Sequence, residues 1–179
     1  MKLPTLLLSS VLVATSLPLT SFAQSSAATA AATPTPAPHD QFSLPETDEG
    51  LPGTGPIRRY DWFKNLWHSQ RSSWAERVQK EQNSIVFVGD SITQGWGDVG
   101  SYFPGIKTAN RGISGDTTRG VLIRMQDVFD LHPRGIVLLI GTNDLDEKAE
   151  PETIASNLKL ILEAIRNNNP NTPVVLCYV

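Results

Sequence analysis

The stretch "IVFVGDSITQGW" runs from Ile85 to Trp96 and decides the fold. It opens with four apolar residues in a row, Ile85 to Val88. A continuous apolar run, rather than an alternating one, suits a strand covered on both faces. The run stops at Gly89, and Asp90 and Ser91 follow at once. A buried strand that hands over to Gly-Asp-Ser leaves a hydroxyl at its carboxyl end.

Working outward, the pattern repeats. Before it, Asp61 can cap a helix in which Phe63, Trp67, Trp74 and Val78 recur at helical spacing. After it, a short segment near Lys107 to Asn110 predicts a second strand. Asp116 or Thr117 can cap a helix carrying Val121, Leu122, Met125, Val128 and Phe129, which His132-Pro133 stops. Ile136 to Ile140 predicts a third strand. Pro151 suits a helix first turn, followed by the apolar face Ile154, Leu158, Ile161, Leu162 and Ile165. Asn167 to Pro173 breaks that helix, and Val174 to Val179 predicts a fourth strand. Strands alternating with helices predict an α/β fold, a three-layer α/β/α sandwich around a parallel sheet. Ligands in such sheets bind beyond the carboxyl ends of the strands. Three polar turns fall there: Gly89-Asp90-Ser91, Asn110-Arg111-Gly112 and Gly141-Thr142-Asn143-Asp144.

The start of the chain has a different character. Lys2, the apolar stretch Leu6 to Leu19 and the small residues of Ser21-Phe22-Ala23 predict a signal peptide over 1–23. Export, to the periplasm or the cell exterior, is the expected consequence, with no stable membrane insertion. Residues 24–56 are rich in Ala, Thr, Ser, Pro and Gly and predict a flexible linker, which leaves 57–179 as the folded domain. The charge balance of 15 basic against 18 acidic residues, net −3, gives no electrostatic case for a nucleic-acid or anionic-membrane partner. The single cysteine, Cys177, excludes an internal disulfide and a Cys-rich zinc site, and its apolar setting fits burial.

At the rim, Ser91 sits where a nucleophile would be held by the sheet and exposed. It could equally cap the next helix. The Gly-x-Ser-x-Gly elbow is absent, because the chain reads Gly89-Asp90-Ser91-Ile92-Thr93. A serine attacking an ester needs donors for the developing oxyanion. The Gly112 N–H, the Asn143 amide and the Ser91 N–H are candidates. Gly112 as a plain turn glycine and Asn143 as a self-bonded loop residue are the competing readings. Asp116 suits a helix cap, Asp144 an ordering role in its loop, and His132 the surface.

Gly89-Asp90-Ser91, Gly112 within "NRGISGDTTRG", and Gly141-Thr142-Asn143-Asp144 resemble the first three sequence blocks of the SGNH (GDSL-type) hydrolases. The wider context is similar to bacterial proteins of the platelet-activating-factor acetylhydrolase type. The resemblance runs from Trp62 to Val179. It implies a flavodoxin-like sheet and an ester hydrolase acting on a small-molecule acyl ester without metal or organic cofactor. It assigns Ser91 as nucleophile and the Ser91 N–H, Gly112 N–H and Asn143 side chain as oxyanion hole. Asp90 would help order the turn.

One departure matters. The family takes its base and orienting acid from an Asp-x-x-His block near the C-terminus. The histidines here are His39, His68 and His132, preceded at three positions by Pro36, Asn65 and Phe129. The expectation is a C-terminally truncated domain that lacks its last strand, its C-terminal helix and the catalytic Asp and His, and is inactive alone. The alternatives are a non-catalytic binding module for acylated glycans and a nucleotide-binding domain. The latter needs a Gly-x-Gly-x-x-Gly or Walker-type loop after the first strand, and the sequence does not have one there.

Overall fold

The computed structural model describes residues 40–179. The expected signal peptide, 1–23, and linker residues 24–39 lie outside the described residues. The described residues belong to one compact unit.

Four parallel strands make the sheet: β1 (Ile85–Gly89), β2 (Thr108–Gly112), β3 (Gly135–Leu139) and β4 (Val174–Leu176), in the order β2-β1-β3-β4. The helices are α1 (Asp61–Glu81), α2 (Ser91–Gly95), α3 (Thr118–Ile123), α4 (Gln126–Phe129), α5 (Thr142–Asp146) and α6 (Pro151–Asn168). A 3-10 turn covers Val99–Tyr102. No described helix is long and apolar enough to cross a membrane.

Alternate strand residues point to opposite faces, so the two sides of the sheet differ. Val86, Val88, Ile136 and Leu138 face a core built with Val121, Met125 and Val128 from the α3–α4 region and Ile161 and Ile165 from α6. Each fully buried side chain of this kind favours folding by about 1.5–3 kcal/mol. On the other face, Phe87 meets the rings of Trp96 and Phe103. An apolar cavity lies there between Phe87, Ile92, Trp96, Val137, Leu139 and Cys177. Cys177 is only half-buried, because it belongs to this thinly covered face.

Several expected boundaries move. Asp61 does not cap α1; the cap position is Tyr60, and Asp61 places its carboxylate in the first turn. Thr117, not Asp116, caps α3 by accepting the Gly120 N–H at 3.2 Å. The single helix expected after it breaks near Arg124, whose side chain turns inward to a buried partner. The expected fourth strand, 174–179, pairs with β3 only over Val174–Leu176.

The composition reading also assigns residues 40–56 to a flexible linker. They carry no helix or strand, yet they pack on the domain. Leu44 is 3% exposed and sits with Phe63, Trp67, Trp74 and Ile113 in a second core. Asp48 accepts from both Arg59 and Arg119, each at 2.6 Å. Thr54 bonds Asn157 of α6 at 3.1 Å. A Pro- and Gly-rich composition signals irregular backbone, but one buried leucine and these polar ties are enough to fix it. Leu44→Ala is therefore expected to cost about 2–5 kcal/mol in urea unfolding. A cost below 0.5 kcal/mol would return the segment to linker status.

Candidate active site

Strand register brings the polar turns to one rim. Gly89 lies opposite Gly112 on one side and Leu139 on the other, so β1, β2 and β3 end together. α2 leaves the end of β1, and α5 follows the end of β3.

Ser91 is the first residue of α2, and Asp90 is the cap. The Asp90 carboxylate accepts the Ile92 N–H at 2.9 Å, which leaves the Ser91 hydroxyl free of the capping task. Ser91 is exposed, and its hydroxyl makes no hydrogen bond among the described residues. Asp90 is fully buried, and its second carboxylate oxygen has no partner among the described residues. Burial pushes its pKa upward, against the bond from Ile92, which lowers it.

Gly112 does not fit its expected role. Its N–H donates at 2.9 Å to the side-chain carbonyl of Asn110 and is not available to a ligand. The glycine is needed for another reason: a methyl group there would overlap the backbone of Gln94 in α2. Gly112 thus allows the end of β2 to touch the helix that begins with Ser91.

The turn that follows supplies a residue the sequence reading passed over. Ile113 donates to the Gly89 carbonyl at 3.1 Å, and Ser114 donates to the Gln94 side chain at 2.5 Å. Asn143 donates to the Asp116 carbonyl at 2.7 Å. Gly115 therefore lies in a turn tied to α2 on one side and α5 on the other. Its φ is +87°, a region that favours glycine, and its N–H has no partner among the described residues. A Cβ on Gly115 would come within 2.6 Å of Trp62. The Ser-Gly dipeptide is a turn signal that could have pointed to it.

Asn143 is not self-bonded. Its Nδ2 holds the Asp116 carbonyl, and its Oδ1 accepts from Arg58 at 3.2 Å. Asp144 accepts from the backbone and hydroxyl of Thr118, at 2.8 and 2.6 Å. This ties the start of α3 to α5. Burial raises the Asp144 pKa, and the bonds from Thr118 oppose that.

Beneath the rim, Asp116 and Arg124 form an ion pair at 2.8 Å, with both side chains fully buried. Arg124 also donates to the Gly89 carbonyl at 3.2 Å. Burial pushes the Asp116 carboxyl up to about 6, although the guanidinium of Arg124 pulls it down. Asp116 is thus neither helix cap nor surface acid. It joins the turn holding Gly115 to the end of β1.

Neither described histidine reaches this rim. His68 pairs with Asp40 beside α1. His132 bonds Gln82 at 2.8 Å, just before β3 begins and so at the opposite end of the strands. His39 lies outside the described residues.

The comparisons with known proteins agree with this fold. The chain is 29% identical over 118 residues to the alpha2 subunit of platelet-activating factor acetylhydrolase IB, from both Rattus norvegicus and Homo sapiens. That match covers 62% of this chain and 49% of each relative, so the chain spans about half the length of the curated relatives it matches. A solved structure from Streptococcus pneumoniae shares the fold, with a TM-score of 0.56 at 24% identity over 65% of this chain and 56% of its own. A candidate acylhydrolase from Bacteroides fragilis aligns with a TM-score of 0.52 at 26% identity, over 66% of this chain and 58% of its own. The model of the GDSL-like lipase/acylhydrolase family matches residues 87–179, more than half of the chain, and the chain belongs to that family.

Proposed function

We propose that the complete protein containing this chain is a serine ester hydrolase of small acyl groups. The observation that carries the reading is the free, exposed Ser91 hydroxyl at the rim where β1, β2 and β3 end. In this reading Ser91 Oγ attacks the acyl carbon while a base takes its proton. The carbonyl oxygen becomes an oxyanion held by the Ser91 N–H, the Gly115 N–H and the second Nδ2 proton of Asn143. Gly115 takes the place first given to Gly112. The tetrahedral intermediate collapses, the alkoxide leaves with the proton, and an acyl-serine remains. Water then attacks it and releases the acid.

Acetyl groups on carbohydrate are the proposed substrates, and lipid acyl esters are the main competitor. The naming of the mammalian relatives as acetylhydrolases supports a short acyl group. The apolar cavity beside α2 offers a wall for it. The base and its orienting acid are proposed to come from residues outside this sequence, since neither described histidine is near Ser91. That same observation favours a second reading, a binding module that holds an acylated ligand without cleaving it.

A fluorophosphonate probe separates the two. The product of the complete reading frame is expected to be labelled on Ser91, mapped by mass spectrometry, and Ser91→Ala to remain unlabelled. A folded complete protein that stays unlabelled would overturn the esterase reading and favour the binding one. The 179-residue chain alone is expected to hydrolyse an aryl acetate several orders of magnitude more slowly than the complete protein. Robust Ser91-dependent turnover by the chain alone would refute the proposed source of the base.

A further inference from the structure

We propose that Arg58 is a positioning residue that locks and polarises the Asn143 carboxamide as an oxyanion donor. The proposal rests on the esterase reading above. It concerns a residue outside the segment matched by the family model, which begins at residue 87.

The geometry is a three-point clamp. Arg58 donates through Nη1 to Asn143 Oδ1 at 3.2 Å, through Nε to Glu147 Oε1 at 2.7 Å, and through Nη2 to Asp146 Oδ2 at 2.5 Å. All three acceptors lie on α5 or at its end. The Arg58 side chain is only 10% exposed, so it is held in this arrangement and not loosely swung across the surface. The Asp146 contact adds little by itself, because that carboxylate is 73% exposed. The bond to Asn143 is the consequential one.

A carboxamide can flip, exchanging its oxygen and nitrogen, unless its neighbours forbid it. Arginine has only donors, and the Asp116 carbonyl can only accept. Asn143 lies between these two groups. A flipped amide would aim its NH₂ at the guanidinium and its oxygen at a carbonyl, which is repulsive at both ends. One orientation survives. In it, one Nδ2 proton is spent on Asp116 and the other stays uncommitted. The cation on Oδ1 draws electron density from the amide nitrogen, so the free N–H becomes a stronger donor. The Glu147 and Asp146 carboxylates offset the Arg58 charge toward solvent, and neither bonds the Asn143 carboxamide, whose partners are Arg58 and the Asp116 carbonyl.

The test uses the complete protein and an aryl acetate. Arg58→Met keeps an unbranched apolar stem and removes every donor. It is expected to lower kcat about 10-fold or more, short of the 10²–10³-fold typical of deleting an oxyanion donor outright. KM should stay within about twofold, because the donor acts on charge that develops in the transition state. Arg58→Lys, which keeps the charge but loses the planar fork of donors, should recover part of the loss. In an Asn143→Ala background, Arg58→Met should have no further effect. An unchanged kcat, or an equal loss with and without Asn143, would overturn the proposal.

A second readout needs no turnover. The two side-chain N–H signals of Asn143 in an ¹H–¹⁵N spectrum should shift in Arg58→Met, and in Arg58→Lys should Met fold poorly. Unchanged signals in both would overturn the clamp. Fluorophosphonate labelling of Ser91 in the unmodified protein reports on the esterase reading itself, so the two failures are distinguishable.

Discussion

Ser91→Ala in the complete protein is expected to reduce aryl-acetate turnover by at least about 10⁴-fold, with almost no change in stability. The hydroxyl is exposed and unbonded among the described residues, so nothing structural leaves with it. A surface change of this kind stays within about 0.5 kcal/mol. Asn143→Ala should cost about 10²–10³-fold, the usual effect of removing one oxyanion donor. Part of its effect will be structural, because Nδ2 also ties α5 to the Asp116 carbonyl. The double variant should lose much less than the product of the two single losses, since groups that act as a unit are not additive. Initial rates with p-nitrophenyl acetate and urea unfolding midpoints would check both halves. A Ser91→Ala protein keeping a tenth of the activity would rule out Ser91 as nucleophile.

Arg124→Met is expected to be the most damaging core substitution, at about 3–5 kcal/mol. It leaves the Asp116 carboxylate fully buried with no counter-ion. It also removes a donor from the Gly89 carbonyl and a cation lying 5.3 Å from the Trp74 ring centre. The effect should depend on pH. The Asp116 pKa of about 6 is above its ordinary value of 3.8, so the folded state holds the proton more tightly than the unfolded chain does. Its contribution to stability is therefore complete below about pH 4 and is lost as pH rises through about 6. Without Arg124 the carboxyl should titrate higher still. The deficit of Arg124→Met should then be smaller at pH 5 than at pH 7.5, and Asp116→Asn added to it should recover part of the loss. Unfolding midpoints at the two pH values decide the matter. An equal deficit at both would mean that Asp116 does not drive it.

The fold was legible where burial leaves a simple trace in the sequence. β1 and β3 are the central strands, fully buried on one face and half-buried on the other, and Ile85–Val88 and Ile136–Ile140 are unbroken apolar runs. β2 reads "TANRG" and was harder to place, because an edge strand can afford polar residues. Its Arg111 is nonetheless fully buried, with a salt bridge to Glu81 at 2.6 Å. The rim positions of Ser91 and Asn143 were legible because each follows a strand end. Gly112 and Gly115 were not separable in the same way. Which of them offers its N–H depends on the Asn110 side chain, and hydrogen-bond partners across a turn leave no periodicity to detect. Arg58 was beyond reach altogether. It meets Asn143 across 85 residues of chain, and nothing in its neighbourhood distinguishes it from Arg59.

The clamp on Asn143 bears on how the domain should be excised for expression. A fragment cut at the family-model boundary, residue 87, would start two residues into β1. It would lack α1 with its buried Phe63, Trp67 and Trp74, the Leu44 plug and Arg58. Such a fragment would keep Ser91, Gly115 and Asn143 in its sequence while discarding what holds them in register. Cloning should therefore begin no later than Asp40, which treats the unmatched segment 40–86 as part of the scaffold under the rim and not as dispensable sequence.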